Sequence, residues 1–441
     1  MKSDTAAPGA IVVGGGFSGT MAAVEMVRRG VSVALVEGHG RAGRGIAYST
    51  REAAHLLNVP AAKMSAFADS PDHFAMAVAG EGFGAGDFVP RARFGAYLSQ
   101  LLAEAVASGK VAIIERQAVA ATRRHEGWEV TLDDGTALEA PALVLAHGNQ
   151  PPEPMSTAAH LPPELFVNNP WLPAAGATIA RLARDGGDAL ILGTGLTMVD
   201  LVLSLDEAGH RGRIVALSRR GLIPRPHAPF DPAPIDREEV AAGNVGRLWR
   251  WLRDRAATVG WRAAVDSLRP HSAALWQSFG PAEQRRFLRH ARPWWDVHRH
   301  RIAPQVAERL KRLVAEGRLE IVAGRVASMS ESDGGLDVTV TRRGSRTARD
   351  HRFAAAFNCT GPLGAIARTR DPLLRQLLAD GAIVPDPLGI GLAVDNGSRA
   401  GPGLWALGPL TKGMFWEMVA VPDIRGQVAG VADDIAKELA R

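Results

Sequence analysis

Residues 10–19, Ala-Ile-Val-Val-Gly-Gly-Gly-Phe-Ser-Gly, constrain the fold of this chain more than any other stretch. Their apolar first half predicts a buried parallel strand. Gly14, Gly16 and Gly19 have the spacing G-x-G-x-x-G, and the pattern after them predicts a helix over 17–29. This order of strand, glycine turn and helix is typical of the unit that binds a dinucleotide in α/β proteins.

Each glycine has a physical task in such a unit. Gly14 permits the tight turn, Gly16 lets a pyrophosphate approach the backbone, and Gly19 lets helix and strand pack closely. Phe17 and Ser18 place their N–H groups at the helix N-terminus, where the helix dipole favours an anion. We therefore expect a phosphate-binding turn; the alternative is a glycine-rich turn in an ordinary α/β protein.

A second strand–turn–helix element occupies 189–200. Gly193 and Gly195 repeat the first two glycines, whereas Met198 stands where the third would be. In the first unit the next predicted strand ends in Glu37, an acid placed to accept hydrogen bonds from a ribose. The two units therefore share a turn but differ in detail.

The second unit ends in basic residues rather than an acid. Leu196 and Thr197 open its helix, and the strand that follows leads to Arg219 and Arg220. Arginine at this place accommodates a 2′-phosphate, whereas an acid favours a free 2′-hydroxyl. NADPH is therefore expected over NADH, and a pair of solvated surface arginines is the alternative.

The chain also repeats itself beyond the glycine turns. Residues 319–362 show the same order as 111–149: a strand, a meander, an apolar return strand and a short glycine corner. Two related nucleotide-binding units on one chain are the simplest explanation. The stretch between them, from 237 to about 317, predicts helices rich in Trp and Arg.

Taken together, these motifs resemble the two-dinucleotide-binding-domain flavoproteins, the group of glutathione-reductase-like enzymes and flavin monooxygenases. Within that group the chain is most similar to the bacterial FAD/NAD(P)-binding proteins of the YdhS type. The motifs that carry the resemblance are G-I-A-Y-S at 45–49, H-L-L-N-V-P at 55–60, G-T-G-L-T-M-V-D at 193–200, D-V-H-R-H-R at 296–301, N-C-T-G-P at 358–362 and F-W-E at 415–417.

The resemblance implies FAD in the first unit and a nicotinamide cofactor in the second. It predicts an α/β fold of two Rossmann-like domains with β-meanders: a discontinuous FAD-binding domain at 1–175 and 350–441, and an NAD(P)H-binding domain at 176–349 with a helical insertion at about 236–316. The cofactor-binding candidates are Gly14, Gly16, Phe17, Ser18, Gly19, Glu37, Gly45, Ala47, Asn58, Val119, Gly148 and Gly408 in the first unit, and Gly193, Gly195, Leu196, Thr197, Arg219 and Arg220 in the second.

Composition excludes several other classes. Cys359 is the only cysteine, which rules out an intrachain disulfide, a CxxC redox pair and a cysteine-rich metal site. The net charge of +5 is spread along the chain without a basic block, so no nucleic-acid partner is expected. Residues 1–8 are too short and polar for a signal peptide, and no apolar run is long enough to span a membrane, so a cytoplasmic protein without a metal is expected. The oligomeric state stays open.

The chemistry that remains is hydride transfer from NADPH to FAD, followed by electron transfer to oxygen or an organic acceptor. The short G-x-G-x-T turn of the second unit resembles that of N-hydroxylating and Baeyer–Villiger-type monooxygenases. We expect a single-chain monooxygenase that hydroxylates a small polar or heteroaromatic substrate through a C4a-hydroperoxyflavin sheltered from water. A dehydrogenase or reductase without oxygen chemistry and a non-catalytic flavin-binding redox sensor are the alternatives.

Four residues are candidates for the catalytic site. Asn58 and Trp416 would line the isoalloxazine ring. Glu417 and His55 would transfer protons, because they are titratable groups within otherwise apolar motifs. For each of the four, a purely structural role is the alternative.

Overall fold

The computed structural model describes residues 7–441. Residues 1–6 lie outside the described residues. They make up most of the segment 1–8, which is not expected to be a signal peptide.

Strands and helices alternate along much of the chain. The strands are β1 (Ala10–Val13), β2 (Val33–Val36), β3 (Val111–Ile114), β4 (Ala118–Arg124), β5 (Gly127–Leu132), β6 (Ala137–Ala140), β7 (Ala142–Leu145), β8 (Phe166–Val167), β9 (Ala189–Leu192), β10 (Ile214–Ser218), β11 (Leu319–Ser332), β12 (Gly335–Arg342), β13 (Ala348–Phe353), β14 (Ala355–Asn358), β15 (Arg399–Gly401) and β16 (Leu404–Ala406). The helices are α1 (Phe17–Arg28), α2 (His73–Ala79), α3 (Arg91–Ala107), α4 (Pro173–Asp185), α5 (Leu196–Glu207), α6 (Val245–Val259), α7 (Trp261–Ser267), α8 (Ser272–Ser278), α9 (Pro281–Arg286), α10 (Arg292–Arg299), α11 (Pro304–Ala315), α12 (Pro372–Ala379), α13 (Lys412–Phe415) and α14 (Val421–Leu439).

The first sheet has the strand order β15-β16-β7-β1-β2-β3, and its strands from β16 to β3 run parallel. β1 is buried along its whole length because both faces of the sheet are covered. Ala10 and Val12 pack against α1, α3 and α14, whereas Ile11 and Val13 face β4–β6 and α12. Burial on both faces explains why a continuous apolar run encodes this strand.

The second sheet has the order β13-β12-β11-β10-β9-β14-β8. Its parallel part packs on α4, α5 and α11. One long strand, β11, supplies both the strand and the start of the meander predicted within 319–362. It has a bulge between Val326 and Ser328 and continues into the antiparallel meander with β12 and β13. In the first unit the corresponding strands β4–β6 form a sheet of their own. The predicted fold class of two Rossmann-like units with meanders is confirmed.

Two predicted domain boundaries do not coincide with the limits of the two sheets. β8 lies before 175 and β14 lies after 350, yet both belong to the second sheet. The reason is topological, because the return strand of each unit pairs with the strand that carries its own glycine turn: β7 with β1, and β14 with β9. The boundary at 350 therefore cut the second unit before its return strand.

The helical insertion is shorter than the predicted 236–316. Trp276, Trp295 and Phe279 form the centre of a small separate core contributed by α6–α10. α11 instead buries Leu310 and Leu313 in the core of the second unit. The amphipathic pattern predicts α11 correctly as a helix but does not say which core it joins.

The C-terminal segment returns to the first unit, as the sequence predicted. β16 pairs with β7 in parallel, and α14 packs along α1. Among residues 7–441, no helix combines the length and the apolar character that a bilayer crossing requires.

A largely buried ion pair joins the two units. Arg91 begins α3 and Asp200 lies in α5; the guanidinium donates from Nη1 to Oδ2 at 2.7 Å and from Nη2 to Oδ1 at 3.0 Å. The two side chains are only 11% and 8% exposed. This bidentate geometry fixes the start of α3 against the second unit.

Removing the carboxylate of Asp200 should therefore destabilise the protein. Asp200→Ala leaves the Arg91 guanidinium in the interface without its partner, and we expect a loss of about 3 kcal/mol in the free energy of unfolding. Urea unfolding measures the loss. The double variant Arg91→Met/Asp200→Leu should recover most of it, because no charge then stays buried.

The matched control is Lys311→Ala, which breaks an exposed ion pair with Glu308. We expect that variant to change the free energy of unfolding by less than about 0.5 kcal/mol. Equal losses in Asp200→Ala and Lys311→Ala would contradict a stabilising role for the buried pair.

Candidate cofactor and active site

The two helices that follow the glycine turns begin without a side-chain cap, as do most helices among residues 7–441. α1 starts after Gly16 and α5 after Gly195; neither has a side-chain hydrogen bond at its N-cap or an acidic residue in its first turn. The first N–H groups of a helix have no partner within the helix, so both ends can donate to an anion. A phosphate group is the kind of ligand that such a terminus binds.

The glycines around these turns divide into two kinds. A side chain at Gly14 or Gly193 would overlap the carbonyl oxygen of Ala146 or Cys359, and their φ angles are +109° and +111°. These two are therefore required by the fold itself. At Gly195 an added Cβ would meet nothing within 4 Å, and at Gly16 only the Cα of Gly45 at 3.8 Å. The second glycine of each turn thus leaves space in front of the helix.

The third glycine of the first turn serves close packing. A Cβ at Gly19 would overlap the carbonyl oxygen of Gly14. Phe17 and Ser18, at the start of the same helix, are buried, and a Cβ at Gly408 would lie 2.8 Å from the Ser18 Oγ. The Gly408 N–H already donates to Gln427 Oε1 at 2.8 Å, so the late strand lies against the start of α1 with its amide engaged.

Glu37 holds the loop that covers the start of α1. Its carboxylate accepts hydrogen bonds from the N–H groups of His39 at 3.1 Å and Arg41 at 2.7 Å. The loop then reaches Gly45, where an added Cβ would lie 2.7 Å from the Cα of Gly16. Each carboxylate oxygen keeps further acceptor capacity, so a ribose contact stays a prediction.

The two arginines after β10 differ in their surroundings. Arg220 donates to the carbonyl oxygen of His290 in the insertion at 3.3 Å. Arg219 is exposed and its side chain makes no hydrogen bond or ion pair within residues 7–441. Only Arg219 is thus uncommitted for a ligand phosphate.

A cavity of about 1030 Å³ lies where the two units, the insertion and the C-terminal segment meet. The loop that covers the start of α1 lines one part of this cavity, and the start of α5 lines another. The candidates on its wall are Ala47, Asn58, Gly195, Leu196, Thr197, Trp416 and Glu417.

His55 is not on that wall, contrary to the proton-transfer hypothesis. It is buried between the units, with Nδ1 2.8 Å from Thr50 Oγ1 and Nε2 3.1 Å from both the Asp200 carbonyl oxygen and Ser204 Oγ. Both ring nitrogens are engaged, so His55 connects the units rather than serving the cavity.

Asn58 lies on the wall as expected. Its backbone carbonyl oxygen accepts a hydrogen bond from His227 Nε2 at 2.9 Å. Burial lowers the pKa of His227 to about 4, although this hydrogen bond acts in the opposite direction. At neutral pH the ring is therefore an uncharged donor that ties the proline-rich loop to the segment containing Asn58.

Trp416 is held in place by the insertion. Its ring stacks on Trp276 with the centroids 4.8 Å apart and meets Phe287 edge to face. Its φ of +56° is unusual for a residue with a large side chain. An imposed backbone conformation at a cavity wall is typical of positions that serve a site.

Glu417 lies on the wall as the counter-ion of Arg299, and its role in proton transfer stays a prediction. Oε1 accepts from Trp295 Nε1 at 2.7 Å, and Oε2 lies 3.0 Å from Arg299 Nε. Burial alone would raise the pKa of the carboxyl group, but the charges of Arg299 and His300 outweigh it and lower the pKa. The group is ionised at neutral pH and has little tendency to take up a proton.

The remaining candidates lie away from the cavity wall, as do the first glycine turn, Glu37, Gly45, Gly193, Gly408 and the two arginines after β10. Val119 is at the bulge between Ala118 and Ala120 in β4. Gly148 has a φ of +64° and open space at its Cβ position, directly before Asn149, which does line the cavity. No group of three metal-ligating side chains occurs in the part of the chain that the structure describes.

Sequence reasoning missed the charged lining of the cavity. The carboxylates on the wall are all paired with arginines: Asp200 with Arg91, Asp266 with Arg301 at 2.7 Å, Asp296 with Arg292 at 3.2 Å, and Glu417 with Arg299. The signal in the sequence is the D-V-H-R-H-R motif at 296–301, which brings an acid and two of these arginines close together along the chain.

This architecture defines a class. Two glycine-turn units, each with a meander and a return strand, share a cavity at the carboxyl edges of their sheets, and this is the fold of the two-dinucleotide-binding-domain flavoproteins. Residues 11–150 match the family model described as FAD-NAD(P)-binding.

Comparison with known proteins gives more specific likenesses. The chain is 25% identical over 400 residues to the uncharacterized protein Rv3403c of Mycobacterium tuberculosis, covering 80% of this chain and 74% of the relative. The solved structure of the reduced ornithine hydroxylase from Pseudomonas aeruginosa matches with a TM-score of 0.69 at 16% identity, over 98% of this chain and 100% of that one. L-lysine 6-monooxygenase from Pseudomonas syringae matches with a TM-score of 0.67 at 18% identity, over 97% and 99%.

Substitution of the two kinds of glycine should affect two different properties, the stability of the protein and its affinity for NADPH. Gly195→Ala should leave the thermal unfolding midpoint nearly unchanged but weaken NADPH binding about tenfold or more, because the new methyl group occupies the space in front of α5. Gly193→Ala should cost more than about 1 kcal/mol of stability, since its φ is positive and the carbonyl of Cys359 is in the way. Thermal unfolding and NADPH titration separate the two effects, and loss of stability in Gly195→Ala would contradict the assignment.

His227 predicts a pH dependence of stability. The unfolded chain binds a proton on this side chain near pH 6.5, whereas the folded protein binds it only near pH 4. Stability contributed by the neutral ring is therefore present above pH 6.5 and is lost as the pH falls from 6.5 towards 4.

His227→Gln keeps a donor for the Asn58 carbonyl and removes the titrating group. Its thermal midpoint should fall less steeply than that of the parent between pH 6.5 and 4. His125→Gln, at an exposed position, should keep the parental slope. Parallel profiles for the parent and His227→Gln would show that His227 titrates as it does in water.

Proposed function

We propose that this protein is an FAD-dependent, NAD(P)H-consuming oxidoreductase, and specifically a single-component monooxygenase that acts on a small polar or heteroaromatic molecule. One observation carries the proposal: a single cavity touches both the loop over the uncapped start of α1 and the uncapped start of α5. A cavity between two dinucleotide turns can bring two redox cofactors and a substrate together.

In this proposal the first unit holds FAD through the glycine turn, Glu37 and the loop containing Gly45 and Ala47. The second unit holds the nicotinamide cofactor at the start of α5 and at Arg219. Bound FAD would accept hydride from the nicotinamide and deliver electrons to oxygen. The residues fit both groups, because the second glycine of each turn leaves room and no acid opposes a phosphate.

The chain itself contributes enclosure and orientation. Trp416 forms an aromatic part of the cavity wall, and the buried Trp276 stacks behind it where the C-terminal segment meets the insertion. The Trp276 Nε1 also donates to the Gly413 carbonyl oxygen at 2.8 Å, which ties α8 to the turn before that wall. A closed aromatic wall excludes water from the reacting atoms, as oxygen-activating flavin chemistry requires.

The comparisons support the monooxygenase over a disulfide reductase. Solved structures with this fold include an ornithine hydroxylase and a lysine monooxygenase, and one from Kutzneria is described with reduced FAD, NADP+ and L-ornithine. The thioredoxin reductases from T. acidophilum and Lactococcus lactis share the fold at lower TM-scores of 0.53 and 0.55. Disulfide reduction by a dithiol needs two cysteines, whereas Cys359 is this sequence's only cysteine, and burial raises the pKa of its thiol.

Spectroscopy of the purified protein tests the proposal in sequence. The protein should carry or take up FAD, be reduced by NADPH without oxygen, and give a transient absorption change when the reduced protein meets oxygen. A protein that takes up no flavin contradicts the whole proposal. Rapid reduction followed by no oxygen-dependent intermediate points to a reductase, and absence of reduction points to a redox sensor.

The exposed Arg219 predicts the choice of nicotinamide cofactor. Arg219→Ala should raise the dissociation constant for NADPH about tenfold, because a charge-assisted contact to the 2′-phosphate is lost, and leave that for NADH unchanged. Arg211→Ala, at another exposed position near β10, is the control and should bind NADPH as the parent does. Equal effects of Arg219→Ala on NADPH and NADH would show that Arg219 does not read the 2′-phosphate.

A further inference from the structure

The charges on the cavity wall do not balance. The four carboxylates that line it are all committed to arginines. Lys63, Arg269 and Lys412 also line it, yet none of the three side chains makes a hydrogen bond or an ion pair with any residue in 7–441. Of these, Lys63 and Arg269 also line one further cavity together. The wall therefore offers uncommitted positive charge and no uncommitted carboxylate.

Lys63 and Arg269 come together from distant parts of the chain. Lys63 ends the short helical turn Ala61–Lys63 of the first unit, and Arg269 follows α7 in the insertion. Both also line an adjoining cavity of about 510 Å³, so they lie on the wall that the two cavities share. Lys63 is near enough to feel the charges of Arg269 and Arg299, and Arg269 that of Arg299. The Asp266 carboxylate acts in the opposite direction on both cations.

The two cations differ in exposure, because Lys63 is exposed and Arg269 is partly buried. Partial desolvation and the neighbouring Arg269 charge lower the pKa of Lys63, and desolvation and Arg299 lower the pKa of Arg269. The two like charges repel each other, and an anion between them would relieve that repulsion. The arrangement is that of a site whose counter-ion is a ligand.

We propose that Lys63 and Arg269 bind the anionic group, a carboxylate or a phosphate, of the small organic substrate. The inference rests on the proposed function and names the substrate class of that same cavity. Arg269 offers a planar pair of N–H donors that matches two oxygens of such a group, and Lys63 adds a point charge.

The same distribution of charges on the cavity wall disfavours a basic substrate. An ammonium group needs a carboxylate or several carbonyl acceptors, and every carboxylate on the wall already has its arginine. The substrate should therefore differ in charge from the ornithine and lysine named for the similar structures. Specificity then comes from the charge of the wall rather than from the fold.

Four probes of matched length test the proposal: pentanoate, pentyl phosphate, pentanamide and pentylammonium. Each is titrated into the purified protein, with its flavin content recorded, by calorimetry at constant ionic strength. Pentanoate or pentyl phosphate should bind about tenfold or more tightly than pentanamide and pentylammonium. The better of the two anions identifies the group.

Substitutions test which residues bind the anion. Lys63→Met and Arg269→Gln should each weaken binding of the anion about tenfold, whereas the exposed Lys311→Gln should not. Lys63→Arg keeps the charge and should keep the binding. Without an added anion, Lys63→Met should unfold at no lower temperature than the parent, because the exposed Lys63 side chain has no partner to lose; a lower temperature would contradict the absence of a partner for Lys63.

Two results would overturn the proposal. One is equal affinity for pentanoate, pentyl phosphate and pentanamide. The other is a tenfold loss of NADPH or FAD binding in Lys63→Met and Arg269→Gln with no loss of anion binding, which would assign the pair to a cofactor phosphate. Because calorimetry does not depend on turnover, a protein that binds the anion but takes up no flavin would contradict the proposed function alone.

Discussion

The structure depends on a close backbone contact that occurs once in each unit. The carbonyl oxygen at the end of the return strand, from Ala146 in one unit and Cys359 in the other, lies against the first glycine of the turn. No side chain fits there, so the turn must carry Gly14 and Gly193. Because β7 and β14 each pair with the strand before that turn, both helices begin at the carboxyl edge of a sheet, where ligands of open α/β sheets bind.

The two units use this shared constraint differently. At the start of α1 a loop held by the Glu37 carboxylate lies over Gly16, and the late strand packs against Ser18. At the start of α5 the space is open to the cavity and the neighbouring Arg219 is exposed. A covered turn suits a cofactor that stays bound and an open turn suits one that exchanges, which supports placing FAD in the first unit and the nicotinamide in the second.

The fold could be predicted from sequence because its signals are local. Glycine spacing, apolar runs and meander turns each lie within a few residues, and they predicted the strands that flank both turns. Contacts between distant segments could not be predicted in that way. His55 meets Asp200 across 145 residues and Trp295 meets Glu417 across 122, so a titratable group in an apolar motif did not reveal that it was already paired. For the same reason the pattern of α11 showed a helix but not the core that it joins.

The charged wall shows which part of the chain decides what the cavity binds. Three of the four arginines that pair with its carboxylates, Arg292, Arg299 and Arg301, come from the insertion and the residues just after it, as does Arg269. The dinucleotide units supply turns that many proteins of this fold share, and those turns carry no information about a third ligand. An insertion that buries its tryptophans in a core of its own can change its cavity-facing residues without disturbing either sheet. Under the proposed function, the charge of the substrate is therefore selected by the insertion and by Lys63 of the first unit, independently of the two glycine turns.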